Sequence, residues 1–308
     1  MSVKRIWRLL KETFQEWNED KASRLAAALA YYTVFSLAPL LVIVIAIAGF
    51  FFDQAAVREQ LTQQIQSLIG PEGAELATTT LENASRPGDN TSLIASIISI
   101  VLLLVGATGV FSQLQEALNT VWDVEARPNN AAEGFVKKRL LSFAMLLTIG
   151  FLLIVSLVIS TALAALSTYL TTLLPGADVL WQLLNLALSL AIITVMFALL
   201  YKYVPDVKID WRDVWVGSFI TAILFTIGKF VLGLYLGNSG FSSTYGAAGS
   251  VVIVLAWVYY SAQILFFGAE FTQVYARRYG SRIRPSEHAV PLDPEARTKQ
   301  GMPRRSDS

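Results

Sequence analysis

The sequence predicts an all-α, polytopic membrane protein of six transmembrane helices with both termini in the cytoplasm. Three observations predict it. Of 308 residues, 54% are hydrophobic and only 15% are charged, where a soluble globular chain carries about 25% charged residues. A water-soluble domain of this size does not hide so much apolar side chain behind so few charges. Six segments approach or exceed the ~20 apolar residues that cross a hydrocarbon core about 30 Å thick. The Lys and Arg residues between those segments fall almost entirely on one side, which sets orientation.

The spans are Tyr32–Phe52, Leu93–Phe111, Leu141–Leu163, Leu180–Tyr201, Val214–Leu236 and Ala247–Phe271. The first begins too late, and is too long, to be a cleaved signal peptide. Of the 24 Lys and Arg residues, 21 lie in the N-terminal stretch, the second and fourth connections and the C-terminal tail. Only Arg58 and Arg86 lie in the opposite connections, and Lys229 lies inside a span. The chain therefore divides into a cytoplasmic or interfacial segment at 1–31, a membrane domain at 32–278, and a polar, disordered cytoplasmic tail at 279–308.

Before the first span, Ile6, Leu10, Phe14 and Trp17 form an apolar stripe, with Lys4, Arg8, Lys11 and Gln15 elsewhere on the wheel. The pattern fits an amphipathic helix lying in the membrane interface; a helix packed under the bundle would use the same stripe. The external loop 53–92 holds six acids and two bases. Its Val57, Leu61, Ile65 and Ile69 share one helical face, Gly70-Pro71 breaks that helix, and a second helix follows from Glu72 to Asn83. A helical hairpin on the outer surface is expected.

Polar residues inside spans are costly, so each calls for an account. Lys229 lies sixteen residues into the fifth span, about 24 Å up at about 1.5 Å per residue. An unpaired lysine near mid-depth costs about 3 kcal/mol. It reads either as a substrate or counter-ion contact in an outward-facing cavity, or as a structural pair with an acid such as Asp53 or Asp178. Ser218, Thr226 and Lys229 share a modest polar stripe at helical spacing. Glu270, on the descending sixth span, sits about 20 Å below Lys229 by the same arithmetic and is not expected to pair with it. Its expected neighbours are Lys21, Arg24 or Arg277. With Gln113, Glu116, Asn119 and Gln263 it outlines a cytoplasmic polar layer, functional or a structural inter-helix network.

Backbone irregularities form a second group. Pro39 removes a helical hydrogen bond and predicts a kink. Gly106 and Gly109 thin the second span, and Gly237, Gly240 and Gly246 lie where spans five and six connect. Such glycines either offer backbone to a substrate or let helices approach closely, together with Gly233 and Ser250.

The composition excludes several function classes. With no cysteine there are no disulfides or thiolate metal ligands. The single histidine, His288, lies in the polar tail, and no phosphate-binding or nucleophile motif occurs. A net charge of +1 argues against nucleic acid as a partner. No catalytic residue, metal or cofactor is predicted. The lipid bilayer is the expected partner, together with a small solute or a lipid; oligomeric state leaves no signature.

Three stretches carry a family resemblance: Ala26–Leu41 (AAALAYYTVFSLAPLL), Gly109–Trp122 (GVFSQLQEALNTVW) and Gly249–Phe271 (GSVVIVLAWVYYSAQILFFGAEF). Tyr203-Val204-Pro205 also fits. The chain resembles the YihY/virulence factor BrkB family of bacterial inner-membrane proteins from about Trp7 to Arg278. The resemblance implies a six-helix inner-membrane protein and sets aside the older ribonuclease label of that family. The preferred expectation is transport or translocation of a small solute or lipid-like molecule. A non-transporting envelope-integrity scaffold is the alternative, and a ribonuclease-type hydrolase a remote third.

Overall fold

The computed structural model describes residues 3–49, 53–85, 109–126, 178–238, 249–280, 283–287 and 289–303. The third expected span, nearly all of the second, and Gly106, Gly240, Gly246 and His288 lie outside the described residues. The fold is mostly helical. Among the described residues three helices are long and apolar enough to cross a membrane, at Leu183–Tyr203, Trp211–Tyr235 and Gly249–Tyr279. Two units make up the chain. The first holds Met1–Glu16, Leu118–Thr226 and Phe267–Asp293, and the second Trp17–Ala117, Ile227–Phe266 and Pro294–Ser308.

Helices α1 (Val3–Glu19) and α2 (Ala22–Ala48) are separated by Asp20 and by Lys21, whose φ is 53°. α2 begins ten residues before the expected span and runs through Pro39 as one helix. Asp53 caps α3 (Gln54–Ile69), its carboxylate accepting the Ala56 N–H at 3.0 Å. Gly70 then adopts φ 95° and ψ 178°, a conformation open to glycine but strained for other residues. Pro71 opens α4 (Pro71–Ser85) where a missing N–H costs nothing. The two helices form the expected hairpin. Its Val57, Leu61 and Ile65 pack against Leu41, Ile45 and Ala77 of the second unit's core, so their shared face is spent on α2 and α4.

A helix over 109–121, α5, leads into β1 (Val124–Ala126). α6 (Asp178–Tyr203), β2 (Val207–Lys208), α7 (Trp211–Asn238) and α8 (Gly249–Tyr279) follow. After α8 the structure departs from expectation. Where the sequence predicts a disordered tail, it has β3 (Arg284–Pro285), β4 (Ala289–Pro291) and a short helix α9 (Pro294–Lys299). β1 pairs antiparallel with β4, and β2 with β3. These four short strands qualify the all-α expectation. Their order comes from main-chain pairing with two loops, which apolar periodicity cannot register.

That pairing gathers the first unit. The Leu292 N–H donates to the Asp123 carbonyl at 2.8 Å, and the Ser286 N–H to the Asp206 carbonyl at 2.9 Å. α1 joins through Arg277–Glu16 at 2.9 Å and Arg278–Glu12 at 2.6 Å. So the first part of α1, β1 of the second connection, β2 of the fourth, and the end of α8 with β3 and β4 are bonded together within the first unit.

α1 packs on the first unit with only part of its apolar surface. Leu9 and Leu10, not Ile6 and Phe14, meet Phe271 and Val274 of α8. Thr13 is buried beside them, its hydroxyl donating to the Leu9 carbonyl at 2.8 Å. Ile6, Trp7 and Phe14 stay exposed.

Candidate functional site

In the first unit, a two-way polar contact joins α5 to the turn after α6. The Asn119 amide donates to the Asp206 carboxylate at 2.9 Å, and its carbonyl oxygen accepts the Asp206 N–H at 2.8 Å. This two-way bond holds the Val204-Pro205-Asp206 turn that feeds β2. A relay lies in the same unit. Gln273 of α8 donates to the Asp123 carboxylate at 3.1 Å and accepts from Arg277 at 2.9 Å, and Arg277 also holds Glu16. Asp123 has φ 54°, a backbone state that aspartate tolerates better than most residues. Lys202 donates to the Ile209 carbonyl and lies over the Trp211 ring, 5.7 Å from its centroid.

Glu270 is fully buried in this unit, as are Ser218 and Thr221. The threonines satisfy themselves against the preceding turn: Thr221 donates to the Gly217 carbonyl, Thr272 to Gly268 and Thr226 to Ala222, at 2.6–2.8 Å. The Ser218 hydroxyl makes no such bond among the described residues. Tyr201 and Thr221 share a hydrogen bond at 3.1 Å.

A seam of small residues joins α7 and α8. A Cβ on Gly217 would overlap the Thr272 side chain, and one on Gly268 would overlap Thr221 and stand 2.6 Å from the Tyr201 hydroxyl. Each helix thus presents a glycine to the other's threonine, 217 to 272 and 268 to 221, the register of an antiparallel pair. In the second unit, Gly228 continues this pattern against Tyr260 and Ile264, both 2.7 Å from a Cβ built there. Gly233, which the sequence offered for close packing, meets nothing within 4 Å among the described residues. Gly109 faces Tyr32 and Ser36 of α2 at ordinary contact distance, and Gly237 lies in the last turn of α7.

The second unit holds Lys229, Gln113, Glu116 and Gln263. Gln113 and Gln263 are partly buried and Glu116 is exposed; the Gln263 side-chain carbonyl has no donor among the described residues. Lys229 is partly buried. Lys208, Arg277, Arg278 and Arg297 each form ion pairs, and no ion pair reaches Lys229 among the described residues. In the same unit Arg297 of α9 and Asp20 form a wholly buried pair at 2.5 Å. Arg24 reaches the Gln300 carbonyl at 2.5 Å, and Met302 is buried.

Sequence reading missed Asp206, Asp123, Gln273, Asp20 and Arg297. Asp206 had a signal in Tyr203-Val204-Pro205, which marks a helix end and a turn wanting a cap. Among the described residues no group of three His, Cys, Asp or Glu is arranged to hold a metal ion. The polar contacts above tie loops to helix ends, and among the described residues the Lys229 ammonium is a charge inside a span that no ion pair uses.

The model of the virulence factor BrkB family matches residues 13–293. The chain belongs to the BrkB family. Within it, the chain is 32% identical over 261 residues to a UPF0761 membrane protein of Alteromonas mediterranea, covering 82% of this chain and 83% of that one. It is 30% identical over 260 residues to a UPF0761 membrane protein of Pseudomonas paraeruginosa, and 30% over 274 residues to one of Teredinibacter turnerae. These matches take in 81% and 89% of this chain but only 58% and 61% of those relatives. The chain therefore spans about three fifths of those two longer proteins. No solved structure matches it. With three helices able to cross a bilayer and relatives named as membrane proteins, this BrkB-family chain is a membrane protein.

Proposed function

We propose that the chain is a six-span protein of the bacterial inner membrane, with both termini cytoplasmic, that passes a small anionic solute or an anionic lipid-like molecule across the bilayer. The observation that carries this reading is Lys229. It is a partly buried ammonium within a span, with no carboxylate at ion-pair distance among the described residues. Lipid offers such a charge nothing, so a site that keeps it has a use for it. Ser218, fully buried, lies on the same side of α7, eleven residues or about three turns away. We assign no reaction to the chain.

The test is flux in vesicles reconstituted with the full chain. One assay follows chloride and phosphate release; the other follows dithionite bleaching of fluorescent phosphatidylglycerol. One of the two is expected to exceed protein-free vesicles and to fall at least tenfold in Lys229→Met, with folded yield unchanged. Absence of flux in both, from folded protein, overturns the reading in favour of an envelope scaffold. So does full flux in Lys229→Met.

Orientation has its own check. Reporter fusions after Arg127 and Arg278 are expected to read cytoplasmic, and one at Gly73 external, from the 21 basic residues against two. A cytoplasmic signal at Gly73 would overturn the topology.

A further inference from the structure

α1 is sorted into sectors that its sequence stripe conceals. At about 100° per residue, Leu9 and Thr13 form one sector, turned into the first unit against Phe271 and Val274. On one side of it come Glu12 and Glu16, both spent on Arg278 and Arg277. On the other come Ile6, Leu10, Phe14 and Trp7; Leu10 turns into the same packed cluster, while Ile6, Phe14 and Trp7 are 45%, 61% and 71% exposed. The remaining sector, opposite the packed one, carries Lys4, Arg8 and Lys11. All three are exposed and none pairs with a carboxylate among the described residues.

We propose that this outer surface of α1 docks on an anionic phospholipid leaflet, with Ile6, Trp7 and Phe14 entering the acyl boundary and Lys4, Arg8 and Lys11 binding headgroup phosphates. The chemistry selects the occupant. Glu12 and Glu16 are turned inward onto arginines, so the outward charges over the first turns of the helix, Lys4, Arg8 and Lys11, are basic and sit beside an apolar strip, with Glu19 following only in its last turn. That pairing is the requirement for a helix lying in a charged interface, with tryptophan at headgroup depth. A soluble partner would face the same bases, but the apolar strip runs along a chain already embedded in a bilayer, so the leaflet is at hand. Each basic residue near an anionic surface strengthens binding about fivefold. Three of them make the contact steeply dependent on lipid charge and salt.

The proposal does not rest on transport, and stands or falls whatever Lys229→Met does to flux. Because the chain has no cysteine, Trp7→Cys in the full chain carries a single environment-sensitive fluorophore. The labelled protein goes into nanodiscs of phosphatidylcholine alone or with phosphatidylglycerol, in each case with brominated acyl chains as quencher. Quenching at least twofold stronger with phosphatidylglycerol is expected, lost in 1 M NaCl and lost in Lys4→Gln/Arg8→Gln/Lys11→Gln. That triple variant leaves Leu9, Glu12 and Glu16 in place, so its melting temperature in detergent is expected to match the parent's. Equal quenching in both lipids, an unquenched label, or a phosphatidylglycerol gain that survives salt overturns the proposal. Salt acts on the unmutated bases, so the result stands even if the triple variant fails to fold.

Discussion

Arg297→Ala is expected to lower stability by about 3–5 kcal/mol, the cost of leaving a buried charge without its ionic partner. Arg297 is 2% exposed and Asp20 1%, and their charged atoms meet at 2.5 Å. The guanidinium also donates from Nε to the Pro303 carbonyl at 3.4 Å, so truncation loosens the chain on both sides of α9. Two readouts separate global from local loss. If the pair supports the whole fold, the melting temperature of the full chain in detergent falls by about 10 °C. If it holds only the last segment, trypsin cuts after Lys299 much faster in the variant. Arg297→Lys keeps the charge but not the planar fork, and is expected to recover under half the loss. The double variant Asp20→Leu/Arg297→Met removes both charges from the interior and is expected to sit well above either single change. Unchanged melting and unchanged cleavage in Arg297→Ala would show the pair to be ornamental.

Arg297 also illustrates what a sequence can and cannot disclose. It stands in Pro-Glu-Ala-Arg-Thr-Lys, a segment that reads as solvated tail, and its partner is 277 positions earlier. Nothing in local composition links the two. Asn119 and Asp206, 87 positions apart, are hidden in the same way. By contrast, the helix starts of the fourth, fifth and sixth spans fall within a few residues of expectation, because an apolar run of that length has few options in a bilayer. The end of the sixth does not. α8 continues from Phe271 to Tyr279 because Val274 and Phe271 are still packing, onto Leu9 and Leu10. The hairpin of α3 and α4 was legible because Gly70-Pro71 is a local signal with a local consequence. Lys229 was legible as an oddity from its charge alone; who faces it is a tertiary fact. The glycines were legible as a class but not as individuals. Among the described residues Gly233, singled out from the sequence, touches nothing, while Gly217, Gly228 and Gly268 make the close approaches between α7 and its neighbours.

Gly217→Val and Gly268→Val are accordingly expected to be among the most damaging single changes in the membrane-spanning helices. Even alanine places a Cβ on top of the opposing threonine at both positions, and a Thr272 Cβ only 2.7 Å from the new atom at 217 cannot rotate away. The helices must move apart, and α6 is caught as well, since a Cβ at 268 crowds the Tyr201 hydroxyl that bonds Thr221. Overpacking of this kind costs about 1–3 kcal/mol where side chains can adjust. The upper end is expected for alanine here, and loss of folded monomer from detergent for valine. Gly233→Ala is the control: its Cβ meets nothing, and helix propensity alone predicts a gain of up to about 1 kcal/mol. The decisive variant is Gly217→Ala/Thr272→Gly, which moves the small residue to the opposite helix. It is expected to recover most of what Gly217→Ala loses, because steric fit across the seam is conserved while only helix propensity is spent. If Gly217→Ala melts like the parent, or if the swap recovers nothing, the antiparallel pairing of 217 with 272 and 268 with 221 is wrong.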